Sequence, residues 1–399
     1  MRKIYLQGAK EQIARHSTIR DINKQIVLNY VRVRAPISRA EIARETSLQR
    51  STVSAIIDDL IEEGLIDEIG TGDSTGGRKP QLLQLKADRP TAIGVDVTPR
   101  ETTVALADLT GRIIKREIFP TSSDSGFMEE QILSRVHRFA SENKETSLEV
   151  GMSIPGIADQ NSGRIVYIPY FHWADWDIAQ KITQFTGLPV TIDNDANAVA
   201  LAELWHGAEQ IKRTRNFIMV LISEGIGTGI IIDGQVYRGE SGAAGEFGHM
   251  FIAENAAVDC SCGRRDCWEA HASEKAIINR YISSNGSSGA GPATIEHLIA
   301  LAEKGEKQAV KVVRETANLL GVGIANLIIG FSPQAIVVSG KIVHAWQLIE
   351  EEIRECASRG IRHELAGTPI VPSALGADPT VLGAITLVLS KKFGSAANN

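Results

Sequence analysis

Cysteine is scarce in this chain, with four among 399 residues. That scarcity excludes a disulfide-stapled scaffold and points to a reducing cytoplasm. No apolar run reads as long enough to span a bilayer, and the opening MRKIYLQGAKEQIARHS lacks the apolar core of a secretion signal. Nor is the composition extreme. At 43% hydrophobic and 23% charged residues it is that of an ordinary globular protein, and the length predicts two or three domains with separate cores. The net charge of −6 is unevenly spread. Met1 to Arg50 holds 11 Lys/Arg against 4 Asp/Glu, a surplus of +7 that leaves −13 for the remainder. A basic head on an acidic body predicts that the head meets a polyanion, which the body alone would repel.

Three of the four cysteines, Cys260, Cys262 and Cys267, stand together a short step after His249. Three thiolates and one imidazole supply the four soft or imidazole ligands that a structural Zn2+ takes at tetrahedral corners. A disulfide or a set of buried thiols is the alternative, but Cys-x-Cys spacing is awkward for an intrachain disulfide. Glu246 and Glu269 flank the cluster, so a bound metal would hold both carboxylates rigid beside it.

The head reads as a winged helix-turn-helix. Ile19, Ile22, Ile26, Tyr30 and Val33 recur at helical spacing from Thr18 to Arg34, and Pro36 ends that segment. Ser38 and Glu41 spell a capping box that opens a short second helix through Glu45. After the turn Thr46-Ser47-Leu48, a third helix is predicted to bury Val53, Ile56, Ile57, Leu60 and Ile61. Its early residues Gln49, Arg50, Ser51, Thr52 and Ser54 then face outward, as in a recognition helix reading the major groove. LIDEIG and QLLQLK predict two strands of a wing whose tip carries Arg78 and Lys79. These two either enter a minor groove or contact phosphates without reading sequence.

Beyond Pro90 the pattern becomes α/β. AIGVDV, TTVALADLTG and RIIKREIF predict three strands, followed by a helix from about Met128 to Ser141 and the strand LEVGMSI. The order returns in NFIMVLIS, GTGIIIDG and QVYRG, with AIVVSG after intervening helices. Two copies of one unit predict two sheet-centred lobes facing a ligand cleft. SIPG at Ser153, DNDANAVALAE from Asp193, GEFGH from Gly245 and CSCGRRDCWE from Cys260 carry a resemblance to the ROK family of repressors and sugar kinases. It covers about Ala92 to Leu389 and implies an actin-like, sugar-kinase-like body; with the head attached, the chain resembles the repressor branch. Asp266 stands where the family usually has Gly, and Asp tolerates a positive φ there better than most residues. The expected boundaries are 1–88 for the head, 89–195 plus a C-terminal helix at about 380–392 for the first lobe, and 196–379 for the second.

The resemblance further implies sugar contacts at Asn194, Asp195, Glu246, His249 and Glu269, whose carboxylates, amide and imidazole suit hydroxyls that both donate and accept. In a plainer reading Asn194 and Asp195 cap a helix and Glu269 pairs a nearby base. Asp195 matches the general base of the family's kinases. A kinase must also cradle phosphates, however, and Asp96-Val97-Thr98-Pro99-Arg100 replaces the kinases' Asp-x-Gly-Gly-Thr, with Pro99 removing a backbone donor. Gly225 to Gly229 keeps its glycines, which also serve hairpin turns, and Ser339-Gly340-Lys341 keeps one glycine of two. The expectation is therefore a sugar-responsive repressor without kinase activity, the alternative being a sugar kinase with a DNA-binding appendage. Expected partners are a DNA operator, a sugar effector (or a protein in its place) and a second copy in a homodimer or larger assembly, since one small head makes few phosphate contacts. Lys86 to Pro90 is the hinge candidate.

Overall fold

The computed structural model describes residues 16–72, 79–144, 146–160, 162–284, 294–361 and 367–394. They fall into two compact units, one reaching Arg89 and including Lys391 onward, the other spanning Pro90–Ser390.

In the first unit α1 (His16–Arg34) leads into β1 (Ile37–Ser38), α2 (Arg39–Thr46), α3 (Arg50–Glu62), β2 (Ile66–Thr71) and β3 (Gln81–Leu85). Ser38 caps α2 as its sequence predicts. Its hydroxyl accepts from the Glu41 N–H at 3.3 Å, and its own N–H donates to Glu41 Oε2 at 2.9 Å. Ser47, at φ 60°, turns the chain from α2 toward α3. β1 adds an unpredicted third strand to the wing, pairing antiparallel with β3 in the order β1-β3-β2. Val53, Ile56, Ile57 and Leu60 are buried, but Ile61 is 36% exposed, because the last turn of α3 overruns the head's core. On α1 the buried residues are Val27, Leu28 and Val31, whereas Ile19 and Val33 lie open; the helical period is right and the inward face is rotated from the predicted stripe. Within this unit Asn29 Nδ2 donates to the Phe393 carbonyl at 2.9 Å.

The second unit contains the predicted duplication. β4 (Pro90–Val97), β5 (Glu101–Asp108), β6 (Ile113–Pro120), α4 (Ser125–Glu142) and β7 (Glu149–Ile154) are followed by a small ribbon, β8 (Ile157–Asp159), β9 (Arg164–Ile168) and β10 (Trp173–Trp176). Then come α5 (Ile178–Thr186), β11 (Val190–Asn194), α6 (Asp195–His206) and α7 (Glu209–Lys212). The second half holds β12 (Phe217–Ile222), β13 (Ile226–Ile232), β14 (Gln235–Val236), α8 (Trp268–Ala272), α9 (Glu274–Ser284), α10 (Ile295–Glu303), α11 (Lys307–Phe331), β15 (Ala335–Ser339), α12 (Trp346–Gly360), β16 (Ile370–Pro372) and α13 (Pro379–Phe393). The two five-stranded sheets run β6-β5-β4-β7-β11 and β14-β13-β12-β15-β16. Each is an antiparallel meander whose first strand continues into two parallel neighbours. One topology is thus built twice, and the short strands β11 and β16 complete it.

Bare glycines allow close helix packing on these sheets. A Cβ on Gly94 would lie 2.8 Å from Ile385, and one on Gly151 would strike the Ala384 carbonyl, so α13 lies directly on the first sheet. α11 is long and apolar enough to cross a bilayer, contrary to the sequence expectation. In this fold 61% of its apolar window is buried, with Leu320, Ile324 and Leu327 in the second core. The same helix carries Gly323 beneath the Trp268 indole, next in chain to Cys267, and Trp268 Nε1 donates to the Leu319 carbonyl at 3.1 Å. Gly323→Ala would drive a methyl into that ring. It should cost about 1–3 kcal/mol by overpacking and loosen the cysteine loop, both seen by measuring melting temperature and metal retention together.

Candidate metal centre and adjoining pocket

The loop between β14 and α8 brings His249, Cys260, Cys262 and Cys267 together, their ligand atoms all within 4.8 Å of one another. His249 Nδ1 stands 3.2 Å from Cys260 Sγ, and Cys262 Sγ 3.8 Å from Cys267 Sγ. Tetrahedral bonds of about 2.3 Å to sulfur place two thiolates about 3.8 Å apart, so the donor set fits one metal ion. The backbone is shaped for this. Gly263 (φ 81°) and Asp266 (φ 65°) both take the left-handed turn, and Asp266 Oδ1 accepts from the Ala256 N–H at 2.9 Å. The departure from glycine at Asp266 is therefore accommodated by the residue type that tolerates this region.

His249 faces two ways. While Nδ1 points to the thiols, Nε2 lies 3.4 Å from Glu246 Oε2 on the same 3-10 turn, Glu246–His249. That turn lines a cavity of about 90 Å3 together with Asn194, Asp195, Glu224, Ser261, Glu269 and Tyr170. The five residues expected to contact sugar thus line one pocket, from two sides. Glu269 is also a brace: Oε1 accepts from the Ser261 N–H and Oγ at 3.2 and 2.7 Å, and Oε2 from the Ile226 N–H at 3.3 Å.

Asn194 caps α6, its Oδ1 accepting from the Ala196 and Asn197 N–H groups at 2.9 and 3.3 Å, and its Nδ2 donates to the Gly156 carbonyl at 3.1 Å. Asp195 Oδ1 accepts from the Ala196 N–H at 2.8 Å. Burial pushes the Asp195 carboxyl up to about 7, reinforced by the nearby Asp96 and Glu246. Burial also raises Glu246, against the pull of His249. Just before them, Asp193 Oδ2 accepts from Arg238 Nη2 at 2.7 Å, tying the end of β11 to the segment that leads from β14 into the Glu246 turn.

A second cavity, of about 330 Å3, shares Pro99, Asp195, Ser223 and Glu224 with the first and is otherwise lined by Asp96, Arg100, Glu274, Lys341, His344 and Thr380, among others. At its edge the β4–β5 turn closes on itself, with Thr98 N–H and Oγ1 donating to the Glu101 carbonyl at 3.0 and 2.7 Å. Arg100 pairs with Glu224 across the cleft. Gly227 and Gly229 lie within β13 rather than in a turn. A Cβ on Gly227 would come 2.8 Å from that of Ala196, and one on Gly229 would strike the Ala196 carbonyl, so these glycines let α6 lie against the strand.

In the head, Gln49, Arg50 and Ser51 are exposed at the start of α3, and Gln49 makes no capping bond with its side chain. Thr52 and Ser54 are half-buried, and the Ser54 carbonyl accepts from Arg39 at 3.3 Å. Lys79 is exposed, while Arg78 lies outside the described residues. Sequence reasoning missed Tyr170, Glu224 and Ser261 in the pocket. Tyr170 sits in a 3-10 turn, Pro169–Phe171, with no periodic signal, and only its aromatic surroundings (Phe171, Trp173, Trp176) could have marked it.

A small winged head of this kind on a doubled, sugar-kinase-like body defines a DNA-binding regulator built on a kinase fold. The ROK family profile matches residues 92–391, and a MarR family profile matches residues 26–78. The chain belongs to the ROK family. It is 33% identical over 382 residues to the xylose repressor of Bacillus spizizenii, covering 94% of this chain and 97% of the relative. To the Escherichia coli regulator NagC it is 29% identical, covering 96% and 95%. Among solved structures, a ROK transcriptional regulator homologous to E. coli Mlc superposes with a TM-score of 0.79 at 25% identity, over 94% and 97% of the two chains. A Streptomyces griseus ROK glucokinase, solved with glucose and AMPPNP, gives 0.65 at 28% identity, over 75% of this chain and 98% of its own.

Asp195 generates a pH prediction. A carboxyl raised from 3.8 to about 7 contributes stability that is fully present below about pH 4 and lost as pH rises through about 7. Asp195→Asn should therefore raise the melting temperature relative to wild type more at about pH 8 than at about pH 5; a constant difference would sink the assignment.

Proposed function

We propose that this chain is a cytoplasmic transcriptional repressor whose head holds an operator and whose interlobe pocket binds a monosaccharide, D-xylose first among the candidates. The observation that carries the reading is the shared His249, which makes a carboxylate-lined pocket and a four-ligand metal cluster one rigid body. The likeness to named repressors over head and body together, where the glucokinase matches the body's share alone, supports it. Zn2+ fits the three thiolates and one imidazole as a structural ion. In this reading Asp195, Glu246 and Glu269 accept from sugar hydroxyls, His249 offers Nε2, and Asn194 holds the α6 terminus beneath them. Gln49, Arg50, Ser51, Thr52 and Ser54 meet the major groove, and Arg78 and Lys79 the neighbouring groove or phosphates. A homodimer then matches a two-fold operator.

A kinase is disfavoured by the same geometry. Pro99 and Arg100 occupy the phosphate turn, Arg100 is engaged by Glu224, and the β13 glycines serve helix packing. A ligand shifts operator occupancy only through unequal affinity for the two states, and a factor of about 100 corresponds to about 2.7 kcal/mol.

Gel-shift titration tests the whole. Xylose should release wild-type protein from its operator, Glu246→Ala should stay bound at every xylose concentration, and Arg50→Ala should bind weakly with or without sugar. Normal release from Glu246→Ala would misplace the sugar site. ATP-dependent turnover of a sugar, abolished by Asp195→Asn, would install the kinase instead.

A further inference from the structure

Tyr170 enters the pocket from outside both large sheets. It lies on the turn between β9 and β10, and that ribbon is fastened at several points. The Trp173 indole N–H donates to the Ser123 carbonyl at 2.7 Å, Phe171 stacks on Trp173 at 4.5 Å, and Trp173 meets Trp176 edge-on at 4.8 Å. The ribbon also lies tight over Gly156. A Cβ there would strike the Tyr167 carbonyl and come 3.1 Å from Ile168, and the Gly156 carbonyl is the acceptor of Asn194. Tyr170 is therefore held in fixed relation to the α6 terminus. On its other side, a Cβ on Gly225 would fall inside contact distance of both the Tyr170 hydroxyl and Glu269 Oε2. Glycine at 225 is what lets the phenol and the carboxylate converge on one corner of the pocket.

We propose that Tyr170 is the specificity-determining residue of this pocket: its anchored ring and hydroxyl set the size of the monosaccharide that enters. The inference rests on the sugar-sensor reading above. The carboxylates of the wall only accept hydrogen bonds when ionised, and so take hydroxyls from sugars of many shapes. A rigid aromatic wall discriminates by volume instead, and one additional carbon at such a wall is worth about 10–200-fold in affinity. D-Glucose differs from D-xylose by one hydroxymethyl group, which makes the pair a suitable gauge.

Calorimetric titration of the full-length, metal-loaded chain with D-xylose, D-glucose and N-acetyl-D-glucosamine tests this. Wild type should prefer xylose. Tyr170→Ala should weaken xylose and shift the xylose-to-glucose affinity ratio by about tenfold or more toward glucose. Tyr170→Phe keeps the wall, so it should preserve the ratio while losing a few-fold in affinity with the hydroxyl. Gly225→Ala presses on the same hydroxyl from the opposite side; it should weaken every sugar and leave xylose preferred. Melting temperature and metal content, measured alongside, identify a variant that has merely misfolded, and if Tyr170→Ala is one, Tyr170→Leu, which removes the ring but keeps an apolar side chain, decides by the same ratio. An unchanged ratio in a folded Tyr170→Ala, or wild-type affinities in Gly225→Ala, overturns the proposal and leaves the sensor reading standing. Failure of wild type to bind any of the three sugars overturns the sensor reading and this inference together.

Discussion

His249 has two ring nitrogens, and they face different neighbours. One faces three sulfurs and the other a carboxylate in the pocket, so the imidazole plane is set by two demands at once. A metal ion at the sulfurs would fix the tautomer as well as the orientation, because the ligating nitrogen cannot carry a proton. The surrounding residues extend this constraint. Glu269 links the cysteine loop to the start of β13 through Ser261 and Ile226, and Trp268 anchors the next residue on α11. The pocket wall is thus suspended between the His249 and cysteine cluster and a core helix, with little freedom for its carboxylates to drift.

The opposite wall comes from the other half of the duplication. Each half ends its parallel strands toward the cleft, and β11 runs straight into α6, delivering Asn194 and Asp195 at the helix start. Two ion pairs join the halves around the cavity, Asp193 with Arg238 and Arg100 with Glu224. Asp193 is almost fully buried and its partner is largely covered, so this pair resists salt screening. Arg100 is half exposed, and its pairing is correspondingly weaker and more easily exchanged.

Much of this was legible in the residues. Ser38 and Glu41 announce the α2 terminus because a capping box is a local, reciprocal bond pattern that needs no tertiary information. The repeated strand order is legible for a similar reason, since alternation and apolar runs record sheet burial directly. The positive φ at Asp266 follows from the need to turn a short loop around closely spaced cysteines. What stayed hidden depends on long-range packing. β11 and β16 are short strands recruited by neighbours, and β1 has only two residues. Ile61 carries the period of a buried stripe but lies beyond the core it would join. Tyr170 reaches the pocket through a ribbon that interrupts the repeating unit, and no local period encodes where that ribbon folds back.

The glycines of β13 have a consequence for how such chains are sorted. Gly227 and Gly229 are bare because Ala196 presses on them, a requirement of helix-against-strand contact that persists whether or not any nucleotide is ever handled. Surveys that score this run as a mark of phosphotransfer will therefore count steric clearance as chemistry. The turn at Pro99, where the pyrrolidine ring leaves no backbone N–H to donate into the second cavity, is a character that helix packing on β13 does not dictate.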